Sequence, residues 1–517
     1  MVLWGSLTSG FSGPQAAKVE PTEAFFANHV IPRIRIQLDQ DALAALRNHF
    51  RSYVPATVIE GTNTYRDVGI HLKGQYGTFQ GIDGRPSLTL NFNKYIRGQR
   101  FHGMDKIHLN NSAQDPSYLC ELIGRELFEA AGIPTARATH ARAELNGRDL
   151  GLCVLTEGYD KRFLKRHFKN PDGNLYDSEF RHDITDPLKK GSGKGPDDHS
   201  DLMALAAAAE EPNPAQRLTR LSKLLDLDRF YSTLALESMM RHHDGYAISI
   251  NNYWIYQDPT NSRAVFLPHG MDQLFYQPQA ALLPDLEGVL ALAVLQTQTG
   301  RREFRARCVT LYTKFFPTLS NRVEIGRAKI RPVLAQLGSN TVAHHDQAVT
   351  NLQRRIDERL RYLQREVLST PSEPLFGEAG IATLTNWIAA VEDGSPNLTE
   401  TNLHQILRVQ FKGGDKSALA RWQTRVLLST GTYQISAKVS ADQSVFRGPA
   451  CPVSLRIWGM NEVQAEMIRS DPRVVEMRSA FEVAPANQGD YLIQCEAHGT
   501  ETSVSYQFSS ITLTRLQ

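Results

Sequence analysis

The stretch of residues 242–275 constrains the fold more than any other, because it predicts a β-hairpin between two polar loops. Residues 251–256 (NNYWIY) are rich in aromatic and β-branched side chains, which favour a strand. Residues 264–267 (AVFL) predict the returning strand, and the polar residues between the two are typical of a turn. Antiparallel pairing of these strands would bring Pro268 beside Asn252.

The hairpin predicts that acidic and amide side chains meet at its open end. Asp272 follows the second strand, Asn251 and Asn252 begin the first, and Asp244 lies in the preceding loop. Carboxylate and amide oxygens are ligands for a hard cation such as Mg²⁺ and for the phosphates that it carries. In such a site Asp244 would be the base that accepts a proton. Asp272 with Asn251 or Asn252 would hold the metal.

Each of these residues also has a purely structural interpretation. Asp244 and Gly245 form a dipeptide that is common in turns. Asn251 and Asn252 can cap the hairpin, and Asp272 can cap a short helix. The sequence by itself leaves both interpretations open.

The sequence lacks the motifs of several other sites. His242 and His243 are adjacent, so their imidazoles would point apart on a helix, which disfavours a shared metal. The GSGKG segment at 191–195 lacks the preceding apolar strand and the Ser or Thr that a Walker A loop requires. There is no GxSxG or HExxH motif, which disfavours the common hydrolase classes.

Length and charge restrict the class of protein further. A chain of 517 residues is too long for one hydrophobic core, so we expect two to four domains. The formal net charge is +2, which gives no reason to expect nucleic acid as a partner. No apolar run reaches the length of about 18 residues that a transmembrane helix needs, so no integral membrane segment is expected.

Changes in residue pattern along the chain predict an α+β fold followed by an all-β domain. Residues 1–28 form a loose leader, residues 29–315 a mixed core, and residues 316–425 a helical extension and linker. Short alternating strands in residues 426–517 predict a β-sandwich of jelly-roll type.

Helices are predicted on both sides of the boundary between the core and the linker. Residues 301–316 and 321–368 have helical patterns, and the second pattern is broken near residues 337–340. Two further helices are predicted at residues 384–391 and 418–427.

A glycine-rich loop in the first part of the chain is a candidate for contact with phosphates. Residues 73–85 (KGQYGTFQGIDGR) follow a predicted strand, and backbone N–H groups converge with the cations Lys73 and Arg85 there. The structural alternative is an ordinary turn. Glu157 ends another predicted strand and could pair with a Lys or receive the edge of an adenine.

The sequence pattern does not indicate a single cellular compartment for the protein. Residues 1–21 have neither the basic start nor the continuous apolar stretch of a signal peptide. Cys451 and Cys495 could pair in an oxidising compartment or remain two buried thiols.

Several motifs together resemble the CotH kinase family, named for spore-coat protein H. They occur in the expected order across roughly residues 30–315: LKG with the glycine-rich loop at 72–84, LTLNFNKY and GQRFHGMDKIHLNNS within 88–112, the segment 115–168, GNLYD at 173–177 and the stretch 242–275. Such an ordered set is far more specific than any single motif.

The resemblance implies an atypical protein-kinase-like fold that binds ATP and Mg²⁺ and phosphorylates protein substrates, including secreted or coat proteins. It gives Asp244 the role of the catalytic Asp, and Asn252 and Asp272 the role of metal ligands. The residues in or beside its nucleotide-site motifs are Lys73, Arg85 and Glu157. The habits of the family favour an extracytoplasmic or secreted protein.

One departure from the family supports an alternative function. Many members carry Trp-Asp-x-Asp where this chain has His269-Gly270-Met271-Asp272, so one carboxylate is missing and the metal site should be weaker. The alternative is a pseudokinase that acts as a structural or assembly protein. It could bind a surface glycan through the C-terminal sandwich, which resembles a carbohydrate-binding jelly roll.

Overall fold

The computed structural model describes residues 20–28, 30–75, 77–401, 406–447, 450–458 and 465–516. Residues 1–19 of the predicted leader and residue 76 of the glycine-rich loop lie outside these ranges, and the last part of the leader forms a helix, α1 (Pro21–Ala27). Contacts divide the chain into two compact units. The first contains the residues up to Asn111 and Arg137–Gly158, and the second contains Ser112–Ala136 and the chain from Tyr159 onwards.

The first unit is a closed seven-stranded sheet. Its order is β1-β2-β3-β4-β5-β7-β6, and β6 pairs with β1 in parallel while every other pair is antiparallel. The elements are β1 (Arg33–Gln37), α2 (Gln40–Asn48), β2 (Val54–Glu60), β3 (Asn63–Lys73), β4 (Ser87–Asn91), β5 (Lys106–Asn110), β6 (Ala138–Leu145) and β7 (Arg148–Glu157).

Local patterns explain how this unit forms. In β1 the buried Ile34 and Ile36 alternate with exposed polar residues, as expected for a strand with one face in the core. The side chain of Asp39 accepts a hydrogen bond from the amide of Ala42 at 2.7 Å and caps the beginning of α2.

The first part of the second unit is mainly helical and carries the hairpin. Its elements are α3 (Cys120–Ala130), α4 (Lys161–His167), β8 (Leu175–Asp177), β9 (Lys189–Ser192), α5 (Ser200–Ala209), α6 (Pro214–Leu224), α7 (Leu227–Met240), α8 (Tyr246–Ser249), β10 (Tyr253–Asp258), β11 (Arg263–Pro268), α9 (Val289–Leu295), α10 (Gln298–Phe315), α11 (Leu319–Ala335) and α12 (Ser339–Leu368). The strands form a four-stranded sheet of order β11-β10-β8-β9.

The predicted hairpin is confirmed. In the register of β10 and β11, Tyr253 lies opposite Pro268, and Asp258 lies opposite Arg263 at the turn. The amide of His269 donates to the carbonyl oxygen of Asn252 at 2.9 Å, so pairing continues one residue past the strands. The two long helices and the break between α11 and α12 are also confirmed.

The last part of the second unit contains two antiparallel sheets. One has the order β14-β15-β22-β17-β20-β19, with β12 added against β22, and the other has the order β13-β16-β21-β18. The strands are β12 (Ile381–Thr383), β13 (Ile388–Asp393), β14 (Asn397–Thr401), β15 (Ile406–Phe411), β16 (Leu419–Leu428), β17 (Gly431–Ala441), β18 (Val453–Ile457), β19 (Glu466–Asp471), β20 (Val474–Val483), β21 (Gly489–His498) and β22 (Val504–Arg515).

The helices predicted at residues 384–391 and 418–427 were wrong, because these segments contain β13 and β16. The strands of the C-terminal sheets therefore begin at Ile381, inside the segment predicted as helical extension and linker. In β16 the residues have good helix propensity, but Ala420 and Trp422 face the hydrophobic core of the sheets. Burial between neighbouring strands overrides the propensity.

Two expectations about the whole chain can be compared with the structure. None of the helices in the described ranges combines the length and apolar character that crossing a membrane requires. Cys451 and Cys495 are both free thiols, of which Cys495 is fully buried in the core of the C-terminal sheets.

Candidate active site

Asn252 lies at the centre of the candidate site, at the open end of the hairpin. Its side-chain nitrogen Nδ2 donates to the carbonyl oxygen of Gly270 at 3.0 Å and faces Asp244 Oδ2 at 3.4 Å. Its backbone is left-handed, with φ of 50°, a conformation that Asn tolerates better than most residues and that is frequent at functional sites. The amide oxygen, which carries lone pairs, is the atom through which Asn252 could bind a cation.

Asp272 lies close enough to Asp244 for their charges to interact. The side chain is half-buried, and burial raises its pKa to about 7. The charges of Glu121, Asp115 and Asp244 contribute to this rise in pKa. The structure thus places Asn252 against Asp244, and Asp272 within electrostatic range of Asp244, whereas their joint binding of a cation remains a prediction. It also shows an accumulation of carboxylates around Asp272, which a bound cation would relieve.

Glu121 on α3 fixes the segment that carries Asp272, and sequence reasoning missed it. Glu121 Oε2 accepts a hydrogen bond from the amide of Met271 at 2.7 Å, and Oε1 accepts one from Arg125 Nε at 2.7 Å. Burial opposes ionisation of Glu121, but the charges of Arg125 and His269 and the Met271 amide together lower its pKa. The available signal was a Glu and an Arg four residues apart in an otherwise apolar helix.

Close packing of α3 also restricts this segment. A Cβ atom at Gly124 would lie 2.7 Å from the sulfur of Met271 and 3.1 Å from Leu274 Cδ1. The hydroxyl of Tyr159 donates to the carbonyl oxygen of Pro268. The packing against Gly124 and this hydrogen bond together limit the positions that the chain after β11 can take.

Glu237 on α7 holds the loop that carries Asp244. Its two carboxylate oxygens accept hydrogen bonds from the amides of Tyr246 at 3.2 Å and Ala247 at 2.9 Å. A Cβ at Gly245 would lie 2.8 Å from the carboxyl carbon, so only glycine fits there without a shift. Burial raises the pKa of Glu237 to about 7. The sequence signal was a carboxylate within residues 230–240 of α7, a run that has no other charged residue and is buried.

The two adjacent histidines differ in environment. His242 is buried, and its Nε2 lies 3.3 Å from the carbonyl oxygen of His269, whereas His243 is exposed. Burial lowers the pKa of His242, and the charge of Asp244 offsets this only in part. A neutral His242 donating to His269 therefore links the loop before Asp244 to the segment after β11.

Gly270 occupies the position of the missing carboxylate, and the structure gives a reason for glycine there. Its φ is 55°, in the left-handed region, and a Cβ would lie 2.6 Å from Cγ of Asn252. In this arrangement the side chain of Asn252 takes the space that a larger residue at position 270 would need.

The three predicted nucleotide-site residues all lie in the first unit. Lys73 ends β3 opposite Ser87, beside the glycine-rich loop. Arg85 Nε donates to the carbonyl oxygen of Leu150 at 2.8 Å, and its Nη2 donates to that of Leu152. These bonds give Arg85 a structural role, and its contact with a phosphate remains a prediction.

Glu157, the third of these residues, is buried at the end of β7. It accepts hydrogen bonds from the amide of Arg137 at 3.2 Å and from its Nε at 3.4 Å. The predicted partner was a Lys or an adenine edge, and the structure pairs Glu157 with an Arg. An adenine contact remains a prediction.

The donor set suits a magnesium ion better than a transition metal. In the described residues, no group of three or more His, Cys, Asp or Glu is arranged to hold a metal ion. The candidate set instead has two carboxylates and one amide oxygen, from Asp244, Asp272 and Asn252. Mg²⁺ usually takes one or two carboxylates from the protein and completes its shell with water and phosphate oxygens.

The sequence of this chain is similar to that of a known spore coat protein. The inner spore coat protein H of Bacillus subtilis (strain 168) is 22% identical over 193 residues, which cover 34% of this chain and 52% of that protein. The chain thus spans about half the length of this curated relative.

Solved structures give weaker similarities. The proinflammatory kinase CtkA of Helicobacter pylori is 9% identical, with a TM-score of 0.26 over 58% of this chain and 98% of that one. The HipA–HipB–operator DNA complex of Shewanella oneidensis MR-1 is 11% identical, with a TM-score of 0.27 over 51% of this chain and 60% of that one. TmCBM61, solved in complex with β-1,4-galactotriose, is 14% identical, with a TM-score of 0.17 over 25% of this chain and 88% of that one.

The family assignment rests on the sequence. The sequence model of the family described as CotH kinase protein matches residues 70–363, which is more than half of the chain. The match includes the glycine-rich loop, α3, the hairpin and the residues around Asp244 and Asp272. The chain therefore belongs to the CotH kinase protein family.

Proposed function

We propose that this chain is an ATP- and Mg²⁺-dependent protein kinase that phosphorylates Ser or Thr hydroxyls. The observation that supports this function best is the convergence of Asp244, Asn252 and Asp272 at one end of the hairpin. These are the residue types that phosphoryl transfer needs, namely a base and the ligands of a phosphate-bound cation. Family membership supports the same reaction class.

Each residue has a defined task in the proposed reaction. The acceptor oxygen attacks the γ-phosphorus of ATP, the bond from that phosphorus to the bridging oxygen breaks, and the electron pair leaves with ADP. Asp244 accepts the proton of the hydroxyl. Asn252 and Asp272 would hold Mg²⁺, which neutralises charge on the phosphates when bound. Glu237 and Glu121 keep the segments of Asp244 and Asp272 in place.

The other proposed contacts with the nucleotide follow from the family motifs. We assign Lys73 to the phosphates of ATP, because it ends a strand directly before the glycine-rich loop. Arg85 shapes the same loop through its bonds to β7. Glu157 is assigned to the nucleotide site on the family motif alone.

The acceptor is proposed to be a secreted, coat or surface protein. Support comes from the name of the Bacillus subtilis relative, an inner spore coat protein, and an extracytoplasmic location is proposed on the same ground.

Gly270 favours a second candidate function, a pseudokinase with a structural, assembly or glycan-binding role. Its position offers no carboxylate, and its Cα hydrogen faces the side chain of Asn252. A site with one carboxylate fewer should bind Mg²⁺ more weakly. This function predicts that ATP with Mg²⁺ produces no shift in the melting temperature of the full chain, whereas the kinase predicts a clear shift.

Transfer of label from γ-³²P-ATP tests the proposed function. The full chain with Mg²⁺ should label itself or casein, a generic acceptor. Asp244→Asn should lower the labelling rate by about 100-fold or more, because the base is lost. The matched control is Asp197→Asn, at an exposed loop position, and it should label like the wild type. Equal labelling by Asp244→Asn and the wild type would refute the role of Asp244.

A further inference from the structure

A ladder of alternating charges crosses the four-stranded C-terminal sheet, with one residue on each strand. Arg421 on β16 contacts Glu392 on β13 at 3.2 Å and Glu496 on β21 at 2.6 Å. Arg456 on β18 contacts Glu496 at 3.1 Å. We call these four residues the charged ladder. Arg421, Glu392 and Glu496 are buried, although they lie on the face opposite the hydrophobic core of the sheets.

At one end, the charged ladder contacts Arg241, the residue that leads into the candidate catalytic loop. Glu392 Oε2 accepts a hydrogen bond from Arg241 Nη2 at 2.9 Å, and Glu392 Oε1 accepts one from the amide of Ala281 at 2.8 Å. Arg241 is buried and left-handed, with φ of 51°, at the point where the chain leaves α7. It lies three residues before Asp244, so its position sets the direction in which this loop begins.

Glu392 lies at an irregularity of β13. The register of β13 with β16 shifts between Val391 and Asp393, which leaves Glu392 as the extra residue of a β-bulge. Bulges are frequent beside functional sites.

The positive and negative charges around Glu392 are equal in number, so removing one of them would leave a partner without a counter-charge. Asp285 contacts both Arg421 and Arg456. One network thus contains three arginines and three carboxylates, namely Arg241, Arg421, Arg456, Asp285, Glu392 and Glu496. Removing one partner of a buried pair leaves an uncompensated charge. Loss of the Glu392 carboxylate would leave Arg241 without its ionic partner.

We propose that Glu392 is a positioning residue for Asp244, and that the C-terminal sheets are a working part of the catalytic unit. The catalytic role of Asp244 rests on the proposed function, whereas the positioning itself rests on the contacts above. Glu392 fixes Arg241, and Arg241 fixes the start of the loop that carries Asp244. A merely structural role would destabilise the protein without a selective effect on this loop.

Hydrogen exchange of the full chain tests the positioning without relying on catalysis. Glu392→Gln should speed exchange in residues 242–252 about tenfold. The matched control Glu496→Gln breaks the charged ladder but leaves the contact between Arg241 and Glu392. It should lower the melting temperature and leave exchange in residues 242–252 unchanged. Unchanged exchange in Glu392→Gln, or an equal increase in both variants, would overturn the proposal.

A second variant and a kinetic measurement complete the test. If Glu392→Gln does not fold, Arg241→Gln breaks the same ion pair and leaves Glu392 its contacts with Arg421 and Ala281, with the same expectation for exchange. In labelling assays Glu392→Gln should lower kcat about tenfold with KM for ATP unchanged, and an effect on KM alone would count against the proposal. If the wild type transfers no label, the proposed function fails while the exchange result still decides the positioning.

Discussion

Residue types identified three of the functional side chains. They did not identify the buried carboxylates that hold the segments on which these side chains lie. Asp244, Asn252 and Asp272 follow from the hairpin and its polar ends, because antiparallel pairing brings the residues that flank the two strands together. Glu121 acts through a backbone amide 150 residues along the chain, and Glu237 acts through amides in the segment after α7. A sequence pattern does not show which amide a buried carboxylate will meet. The need for glycine at position 270 likewise depends on where Asn252 points.

Glu237 should make the stability of the protein depend on pH. Its pKa in the fold is raised to about 7, above the ordinary value of 4.5, because of burial. The fold therefore favours the protonated form, and the contribution of Glu237 to stability falls as pH rises from about 4.5 through 7. Relative to Glu237→Gln, the free energy of unfolding of the wild type should fall by about 2 kcal/mol between pH 5 and pH 8.

Urea unfolding of both proteins across this pH range measures the effect of Glu237. Glu237→Gln has no carboxyl group to titrate at this position. It therefore serves as the reference for the wild type at each pH. A constant difference between the two proteins from pH 5 to pH 8 would show that Glu237 titrates near its ordinary pKa.

At the scale of elements, periodicity predicted the hairpin and the long helices but failed in β13 and β16. The hairpin has turn residues and β-branched strands, so local and tertiary preferences agree. In β16, Arg421 and Gln423 are buried on the face opposite the core, so the strand has no exposed side to mark its pattern. Helix propensity then gave the wrong answer, because burial of polar residues depends on partners elsewhere in the chain.

The packing of α3 predicts the effect of one added methyl group. Gly124→Ala would place a Cβ 2.7 Å from the sulfur and 3.2 Å from the Cβ of Met271, so the side chain of this residue, which precedes Asp272, must move. We expect affinity for ATP with Mg²⁺, measured by calorimetric titration, to fall about tenfold, with a loss of about 1 to 2 kcal/mol in stability. Gly377→Ala is the control, since its Cβ would meet only one atom, at 3.8 Å. Equal affinity in the two variants would contradict this account of α3.

At the scale of the whole molecule, the second unit behaves in the structure as one body from its helices to its last strands. Arg359 on α12 is fully buried and donates to the carbonyl oxygens of Ser238 and Met239 at the end of α7. Gln423 on β16 donates to Tyr362 on α12 at 2.9 Å. These polar contacts are buried, so separating the sheets from the helices would leave many groups unpaired. The C-terminal sheets are therefore more than an appended binding module.

Limited proteolysis tests whether the C-terminal sheets and the helices of the second unit stay together as one folded body. Leu375, between α12 and β12, is 89% exposed and offers a cleavage site for chymotrypsin. After cleavage there, the two fragments should elute together in size-exclusion chromatography without denaturant and separate only when the protein unfolds. A folded C-terminal fragment that elutes alone would show that the sheets are an independent domain.

The central claim is that Asp244, Asn252 and Asp272 form one site for a phosphate-bound cation, and a crystal structure with a non-hydrolysable ATP analogue and Mg²⁺ tests it most directly. The account predicts that Asp272 and the amide oxygen of Asn252 ligate the cation, and that the Asp244 carboxylate faces the γ-phosphate. A cation bound by other side chains, with Asp272 directed away from the nucleotide, would contradict it.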